Sequence, residues 1–128
     1  MKIALAQQNY HIGNFELNTK KIIEAVRQAL PECEFVLVAS MLGNRDWIRL
    51  KPELFPQYRD ALDQLRAPGI ALADLTSLWS RFLELKQDWD LSGNGVNHPN
   101  DFGHRVYAQT ILSHLIAPES RSAKTKGS

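Results

Sequence analysis

The sequence contains a single cysteine, Cys33, among 128 residues. One cysteine excludes an internal disulfide and a cysteine-rich metal site, and it is typical of a chain that works in a reducing cytoplasm. The sequence also lacks an excess of charge of one sign, because 15 basic residues balance 14 acidic ones to leave a formal net charge of +1. No strong field therefore attracts the chain to nucleic acid or to a membrane surface.

Long apolar runs and phosphate-binding glycine loops are missing as well. No stretch approaches the ~20 apolar residues that a bilayer-spanning helix needs. The apolar run in the opening segment MKIALAQQN is too short for a signal peptide. Neither a GxGxxG nor a Walker motif is present, so no cofactor is expected. These absences favour a globular, cytoplasmic protein of one domain's length.

What the chain does contain is an alternation of short apolar runs and amphipathic segments. The apolar runs predict strands at Lys2–Ala6, Glu34–Ser40 and Ile70–Ala73. Apolar residues at helical spacing predict helices over Phe15–Leu30, from Pro52 to Ala67, after Thr76 as N-cap, and over Asp101–Ile116. This β-α-β-α-β-α-α order predicts an α/β fold, a small three-layer sandwich of about three parallel strands joined by right-handed crossovers.

The alternation of strands and helices extends over residues 1–117 and predicts a single domain. Residues 118–128 are small, basic and without periodicity, which predicts a tail that is either disordered or of engineered origin. Three strands leave at least one outer strand that no segment of the chain covers. Because pairing with a second copy would cover it, the sequence predicts a homo-oligomer that forms through an exposed sheet edge.

Residues with functional chemistry concentrate in the segment GNGVNHPNDFGH, which ends at His104. Pro99 fixes its own φ and restricts His98 to extended backbone, and Asn100 or Asp101 could cap the helix that follows. His98 is therefore expected on a stiff loop ahead of a helix, which suits a catalytic base. The histidines and Asp101 of this segment match no zinc spacing, so no metal site is predicted.

Residues 15–116 resemble the C-terminal half of an SGNH (GDSL-type) hydrolase. The resemblance lies in the stretches FELNTKKIIEAVRQALPECEF, FVLVASMLGNRDW, YRDAL, ALADLTSLW and GNGVNHPNDFGHRVYAQ. It implies a partial SGNH or flavodoxin-like sheet, with His98 in its His-Pro context as the general base of an ester hydrolase. The family's orienting acid stands three residues before this histidine, where the chain has Gly95; Asp90 and Asp74 are the nearest candidates.

The serine nucleophile of that family, which lies on a GDS turn after the first strand, is missing. Ser40 remains a candidate because it ends a predicted strand at the edge where α/β sheets carry their sites. Asn9 follows the first strand, where the resemblance implies an oxyanion-hole asparagine. Since an isolated base cannot replace a nucleophile, no catalytic function is expected. The alternatives are an SGNH-like ester hydrolase that uses Ser40 with His98, and a small-molecule site lined by Asn9, Ser40, Asn44 and His98.

Residues 1–26 resemble the opening strand, loop and helix of the nitrilase-like glutaminase domain of glutamine-dependent NAD synthetases. The resemblance lies in MKIALAQQNYHIGNFELNTKKI. It implies no catalytic residue, because the Glu-Lys-Cys set of that family lies beyond the matching stretch. The two resemblances overlap in the first helix and imply a chimera, since helical periodicity can continue across a junction there.

Overall fold

The computed structural model describes residues 14–116, so the predicted strand Lys2–Ala6, Asn9 and the predicted tail lie outside the described residues. The elements of this range are α1 (Phe15–Ala29), β1 (Phe35–Ala39), α2 (Leu54–Asp63), β2 (Ile70–Asp74), α3 (Leu75–Phe82), α4 (Asp88–Leu91) and α5 (Asp101–Leu115). Helices alternate with parallel strands, which agrees with a small α/β fold. None of the described helices is long and apolar enough to cross a membrane.

The first helix begins and ends where the sequence predicts. The Asn14 side chain accepts a hydrogen bond from the Leu17 N–H at 3.1 Å, which satisfies one of the amides that a helix start leaves without a partner. Glu16 and Lys20 form an ion pair one turn apart on the exposed side of α1. The helix ends at Ala29, shortly before Pro31, because the residue ahead of a proline is disfavoured in helical geometry.

Within residues 14–116 the sheet consists of β1 and β2. They pair in parallel, from Phe35 opposite Ile70 to Ala39 opposite Asp74. α2 forms the crossover between them, as parallel neighbours require. A sheet of three strands is not seen in this range, because the first predicted strand lies outside it.

One core cluster fills the space between α2 and the sheet. Leu62 of α2 packs against Ala39 of β1 and Leu72 of β2, and all three are buried. Because side chains alternate along a strand, Ala39 shares this face with Phe35. The Arg27 guanidinium of α1 lies 5.6 Å from the centroid of the Phe35 ring. α1 and α2 therefore cover the same face of the sheet.

A second core cluster lies at the carboxyl end of the sheet and surrounds Trp79 of α3. Trp79 is 1% exposed and is packed with four buried side chains from separate segments: Met41, Leu75, Leu91 and Val106. Its ring makes edge-on contacts with Phe82 and Tyr107, at centroid distances of 5.9 and 6.0 Å, which is a favoured aromatic geometry. This cluster holds α3, α4, α5 and the segment after β1 together.

The cap of α3 is Asp74, and the predicted cap at Thr76 is wrong. Asp74 Oδ1 accepts a hydrogen bond from the Ser77 N–H at 2.9 Å. Thr76 lies buried within the first turn and donates its hydroxyl to the Ser40 carbonyl at 2.7 Å. The helix starts earlier than predicted because β2 leads into it directly and its last residue can cap it.

α5 is less buried than its apolar spacing predicts. Gly103 and Val106 are buried, whereas Phe102, Leu112 and Leu115 are 45%, 50% and 65% exposed. Periodicity identified the helix correctly, but burial also depends on how much of the apolar side another element covers. Apolar spacing alone would place these three side chains inward, and the structure contradicts this for all three.

Candidate functional site

The loop that carries His98 is organised by the side chain of Asn94. Its Oδ1 atom accepts hydrogen bonds from the N–H groups of Val96, Asn97 and His98, each at 3.0 Å. The Ser92 hydroxyl donates to the same oxygen at 3.1 Å. An asparagine side chain that bonds to nearby backbone stabilises a turn without help from a strand or helix. Here it stabilises the whole segment 92–98, which we call the His98 loop.

Further hydrogen bonds close both ends of the His98 loop. The Gly93 N–H donates to the His98 carbonyl at 2.9 Å. Asn100 donates from Nδ2 to the Asp90 carbonyl at 2.8 Å, and its Oδ1 accepts from the Gly103 N–H at 3.0 Å as the cap of α5. Of the two caps that the sequence allowed, the structure selects Asn100.

The His98 loop is held against the segment that follows β1. Asn44 donates from Nδ2 to the Gly95 carbonyl at 2.8 Å and from its backbone N–H to the Val96 carbonyl at 2.7 Å. Gly95 has a φ of 70°, a conformation that favours glycine over other residues. The position where the SGNH resemblance implies an acid is therefore occupied by a backbone turn in this chain.

The imidazole of His98 makes no hydrogen bond to any residue within 14–116. The hydrogen bonds at this residue use its backbone N–H and carbonyl, and the residue is exposed. A histidine base needs a hydrogen-bonded neighbour that fixes its tautomer and orientation. Within the described residues, His98 has a hydrogen-bonded backbone and no orienting acid.

Asp90, the first candidate for that acid, is used in local structure. Its Oδ2 atom accepts a hydrogen bond from the Gln87 N–H at 2.9 Å, as part of a capping box at the start of α4. This four-residue helix was not predicted, because it is too short to show an apolar period. No hydrogen bond joins the Asp90 carboxylate to the His98 ring.

Asp74, the second candidate, caps α3 and forms an ion pair. Ser77 donates its N–H and its hydroxyl to the carboxylate at 2.9 and 2.7 Å, and Arg59 Nε donates at 2.8 Å. Burial acts to raise the pKa of the Asp74 carboxyl, but the donors from Ser77 and Arg59 together outweigh it, so this pKa lies below its usual value. The carboxylate is ionised and bonded to Arg59, not to an imidazole.

Ser40 follows β1 at the carboxyl end of the sheet, and its hydroxyl makes no hydrogen bond to a described residue. It borders a cavity of about 210 Å³, which we call the Ser40 cavity. The lining residues come from β1, α2 and α3 or lie next to them: Val38, Ala39, Ser40, Phe55, Tyr58, Arg59, Leu62 and Thr76. None of them belongs to the His98 loop, so the structure does not bring Ser40 and His98 into one cavity.

The cation at the Ser40 cavity is already neutralised. Arg59 Nη1 lies 2.7 Å from Asp60 Oδ1, and Nε lies 2.8 Å from Asp74 Oδ2. Hydrogen bonds to Asp60 and then to Asp74 raise the pKa of the Arg59 guanidinium. Because two carboxylates share one guanidinium, the cavity favours a neutral group over an anion.

Metal binding has no support in the described part of the chain. Within residues 14–116, no three His, Cys, Asp or Glu side chains lie close enough together to hold a metal ion. His98, Asp101 and His104 therefore do not converge, although they are near one another in sequence. Asn9, the candidate oxyanion donor, lies outside the described residues.

Two asparagines that organise the site were missed by the sequence reasoning. Asn94 fixes the His98 loop, and Asn44, which was considered only as a ligand contact, holds that loop in place. A signal for Asn94 was present, because Asn94-Gly95 is a strong turn dipeptide. No local signal marks Asn44, since its partner lies 51 residues away.

No family model, curated protein or solved structure matches this chain. The resemblances to SGNH hydrolases and to NAD synthetases thus remain expectations from the sequence. Function has to be argued from the geometry of the site, since a fold of this general type supports many activities.

Proposed function

We propose that this chain is a catalytically silent α/β protein that keeps a rigid His-Pro loop and has no serine nucleophile to use it. The observation that supports this best is the imidazole of His98, which has no hydrogen-bond partner within residues 14–116. Nucleophile and base in a Ser-His pair lie within about 2.6–3.2 Å of each other. The Ser40 cavity, by contrast, is lined by no residue of the His98 loop.

Ester hydrolysis tests this proposal directly. We expect wild-type protein and His98→Ala to hydrolyse p-nitrophenyl acetate at similar rates. Any difference between the two rates should be no larger than the reaction of one exposed imidazole with the ester. His104→Ala is the matched control, because it removes another exposed histidine from the same region. A rate that falls by ~100-fold or more in His98→Ala, but not in His104→Ala, would show general-base catalysis and overturn the proposal.

The alternative is an SGNH-like ester hydrolase with His98 as base and Ser40 as nucleophile. The hydrogen bond from Asn44 to the Gly95 carbonyl favours it, because it brings the His98 loop against the segment that follows Ser40. This alternative predicts covalent labelling of Ser40 by a fluorophosphonate, lost in Ser40→Ala. If the fluorophosphonate does not label the wild-type protein, this alternative is wrong.

The finer features of the fold are part of the same proposal. We propose a sheet of three parallel strands, a junction of two recombined fragments within α1, and a cytoplasmic homo-oligomer that forms through an exposed sheet edge. Support comes from the two-stranded sheet of the described range, since parallel sheets are normally larger and covered. Light scattering on a size-exclusion column should show a stable dimer or larger species across a dilution series; a monomer at every concentration contradicts the oligomer.

A small neutral compound is the ligand that the Ser40 cavity suits. Apolar walls with a few polar groups are typical of ligand sites, and the pairing of Arg59 with two carboxylates disfavours an anion. Thermal melts with acetamide, acetate and a nucleotide test this part of the proposal. A rise in Tm with acetamide alone supports it, whereas melts that none of the three shifts contradict it.

A further inference from the structure

The His98 loop contains the only Asn-Gly dipeptide of the chain, Asn94-Gly95. The backbone nitrogen that follows an asparagine can attack the side-chain amide and close a cyclic imide, the succinimide, which water later opens. Glycine favours this attack because it has no Cβ to crowd its nitrogen. Asn94 is exposed, so water and base reach its amide. Whether the fold promotes or hinders the attack depends on what holds the attacking nitrogen and the amide oxygen.

The attacking nitrogen is not held by a hydrogen bond. The Gly95 N–H donates to no acceptor within residues 14–116, whereas the next three N–H groups along the chain all donate to Asn94 Oδ1. A Cβ built on Gly95 would meet no atom within 4 Å, so the space around this residue is open. An N–H that no acceptor holds is accessible to base in the solvent. The Gly95 nitrogen is therefore available as a nucleophile.

The oxygen of the Asn94 amide lies among donors that stabilise negative charge. Three backbone N–H groups donate to Oδ1 at 3.0 Å each, and the Ser92 hydroxyl donates at 3.1 Å. When a nitrogen adds to Cγ, an electron pair of the carbonyl moves onto Oδ1. Backbone N–H donors at about 2.7–3.1 Å from such an oxygen are what an oxyanion hole supplies, and successive N–H groups form anion-binding concavities. The loop therefore holds the donors for the tetrahedral intermediate before any reaction begins.

We infer that Asn94 is a site of self-modification, at which the Gly95 nitrogen attacks the Asn94 side-chain amide within the folded His98 loop. The bond from the Gly95 nitrogen to Cγ forms, and the N–H proton goes to hydroxide or to a buffer base. The bond from Cγ to Nδ2 then breaks, and ammonia leaves after Nδ2 takes a proton from water. Water adds to either carbonyl of the succinimide, which yields an aspartyl or an isoaspartyl residue. No atom is oxidised or reduced in these steps.

The isoaspartyl product would release the loop, because its main chain runs through Cγ and is longer by one methylene. The former Oδ1 becomes a main-chain carbonyl oxygen and leaves its position among the donors. Two hydrogen bonds close the loop at its present length: Gly93 N–H to the His98 carbonyl at 2.9 Å, and Asn44 N–H to the Val96 carbonyl at 2.7 Å. The aspartyl product keeps both the main chain and an acceptor oxygen. The inference does not depend on the proposed function, because neither a substrate nor the imidazole takes part.

Peptide mapping of the full chain, incubated at mildly alkaline pH, tests the attack. We expect Asn94 to lose its amide at least as fast in the folded chain as in guanidinium chloride at the same pH. A lower rate in the folded chain would mean that the loop must open before it reacts, and would overturn the inference.

Asn97 is the internal control for this measurement. It is exposed in the same loop, but the nitrogen that follows it belongs to His98, whose N–H already donates to Asn94 Oδ1 at 3.0 Å. Asn97 should therefore keep its amide while Asn94 loses it. Amide loss at Asn97 as fast as at Asn94 in the folded chain would contradict the inference.

Ser92→Ala tests the part played by the donors, because it removes one donor to Oδ1 and leaves Asn94-Gly95 intact. We expect this variant to lose the Asn94 amide about threefold or more slowly in the folded chain. The rate in guanidinium chloride should be unchanged, since the unfolded chain does not hold these donors in place. An unchanged or higher rate in the folded chain, or equal slowing in both states, would show that the donors do not promote the attack.

Amide hydrogen exchange tests the release of the loop. The isoaspartyl form, separated by chromatography, is compared with the Asn94→Asp variant, which carries the same added charge on a normal main chain. We expect the Gly93 and Asn44 amides to exchange at least about tenfold faster in the isoaspartyl form. The Val106 amide, within α5, should exchange equally in both. Smaller differences at Gly93 and Asn44, or equal acceleration at Val106, would contradict a release confined to the loop.

Discussion

Replacement of Asn94 by alanine should release the His98 loop from its folded conformation. Asn94 Oδ1 is the common acceptor for three backbone N–H groups and the Ser92 hydroxyl. A hydrogen bond contributes about 0.5–1.5 kcal/mol net. These four hydrogen bonds share one acceptor oxygen, and their exposed donors can bond to water after the substitution. Their contributions to the free energy of unfolding therefore do not add fully. We expect Asn94→Ala to lower the free energy of unfolding by about 1–2 kcal/mol.

Two variants of the same loop provide the controls for this prediction. Asn94→Asp keeps an oxygen acceptor at the same place and should stay within about 0.5 kcal/mol of wild type. Asn97→Ala removes an exposed side chain that accepts one hydrogen bond, from Asn94 Nδ2 at 3.2 Å, and should also cost less than about 0.5 kcal/mol. Urea unfolding followed by tryptophan fluorescence measures all three. Equal stabilities of Asn94→Ala and Asn97→Ala would refute the reasoning that one side chain organises the loop.

Three further predictions concern the core and the ion pair. Gly103→Ala should lower the free energy of unfolding by about 1–3 kcal/mol, because the added Cβ would lie 2.9 Å from the indole of Trp79. As the control, Gln109→Ala, on the exposed side of α5, should be neutral in the same urea assay. Tyr107→Phe should cost about 1–3 kcal/mol, since the Met41 N–H loses its acceptor at 2.6 Å, and a neutral result in that assay would contradict this. The pKa of Asp74 lies below the ordinary value of 3.8, so its stabilising contribution is complete above that pH and is lost as the pH falls through the folded-state pKa. The Tm difference between wild type and Asp74→Asn should therefore be constant at near-neutral pH and shrink as the pH falls below about 4, and a difference that stays constant there would contradict this account.

Most elements of the described fold could be predicted because their signals are local. The Asn14 cap and the proline that follows α1 mark the ends of that helix. The apolar runs that became β1 and β2 are short, rich in β-branched or small apolar residues, and separated by an amphipathic segment. Such patterns act over a few residues, so they hold wherever the segment packs.

The predictions that the structure contradicts share a cause. Two residues can compete to cap one helix, and an apolar side chain can lack an element that covers it, and the spacing of residues in the sequence shows neither. Thr76 and Asp74 are both good caps, and the path of β2 into α3 decides between them. Leu112 and Leu115 fit the apolar side of a helix, yet they are 50% and 65% exposed. Whether an apolar side chain is buried depends on elements that are distant in sequence.

The sequence by itself determined the backbone restriction of the His-Pro segment, the absence of a GDS motif, and the succession of α1, β1, α2, β2, α3 and α5. Proline, glycine and capping residues restrict the backbone within a few residues, and apolar spacing sets each strand or helix locally, so these features can be predicted without the tertiary structure. Only the tertiary structure decided that Asp74 pairs with Arg59 and that no residue of the His98 loop lines the Ser40 cavity. These outcomes depend on which distant group reaches the Asp74 carboxylate and on how two loops pack, and neither is encoded in local spacing.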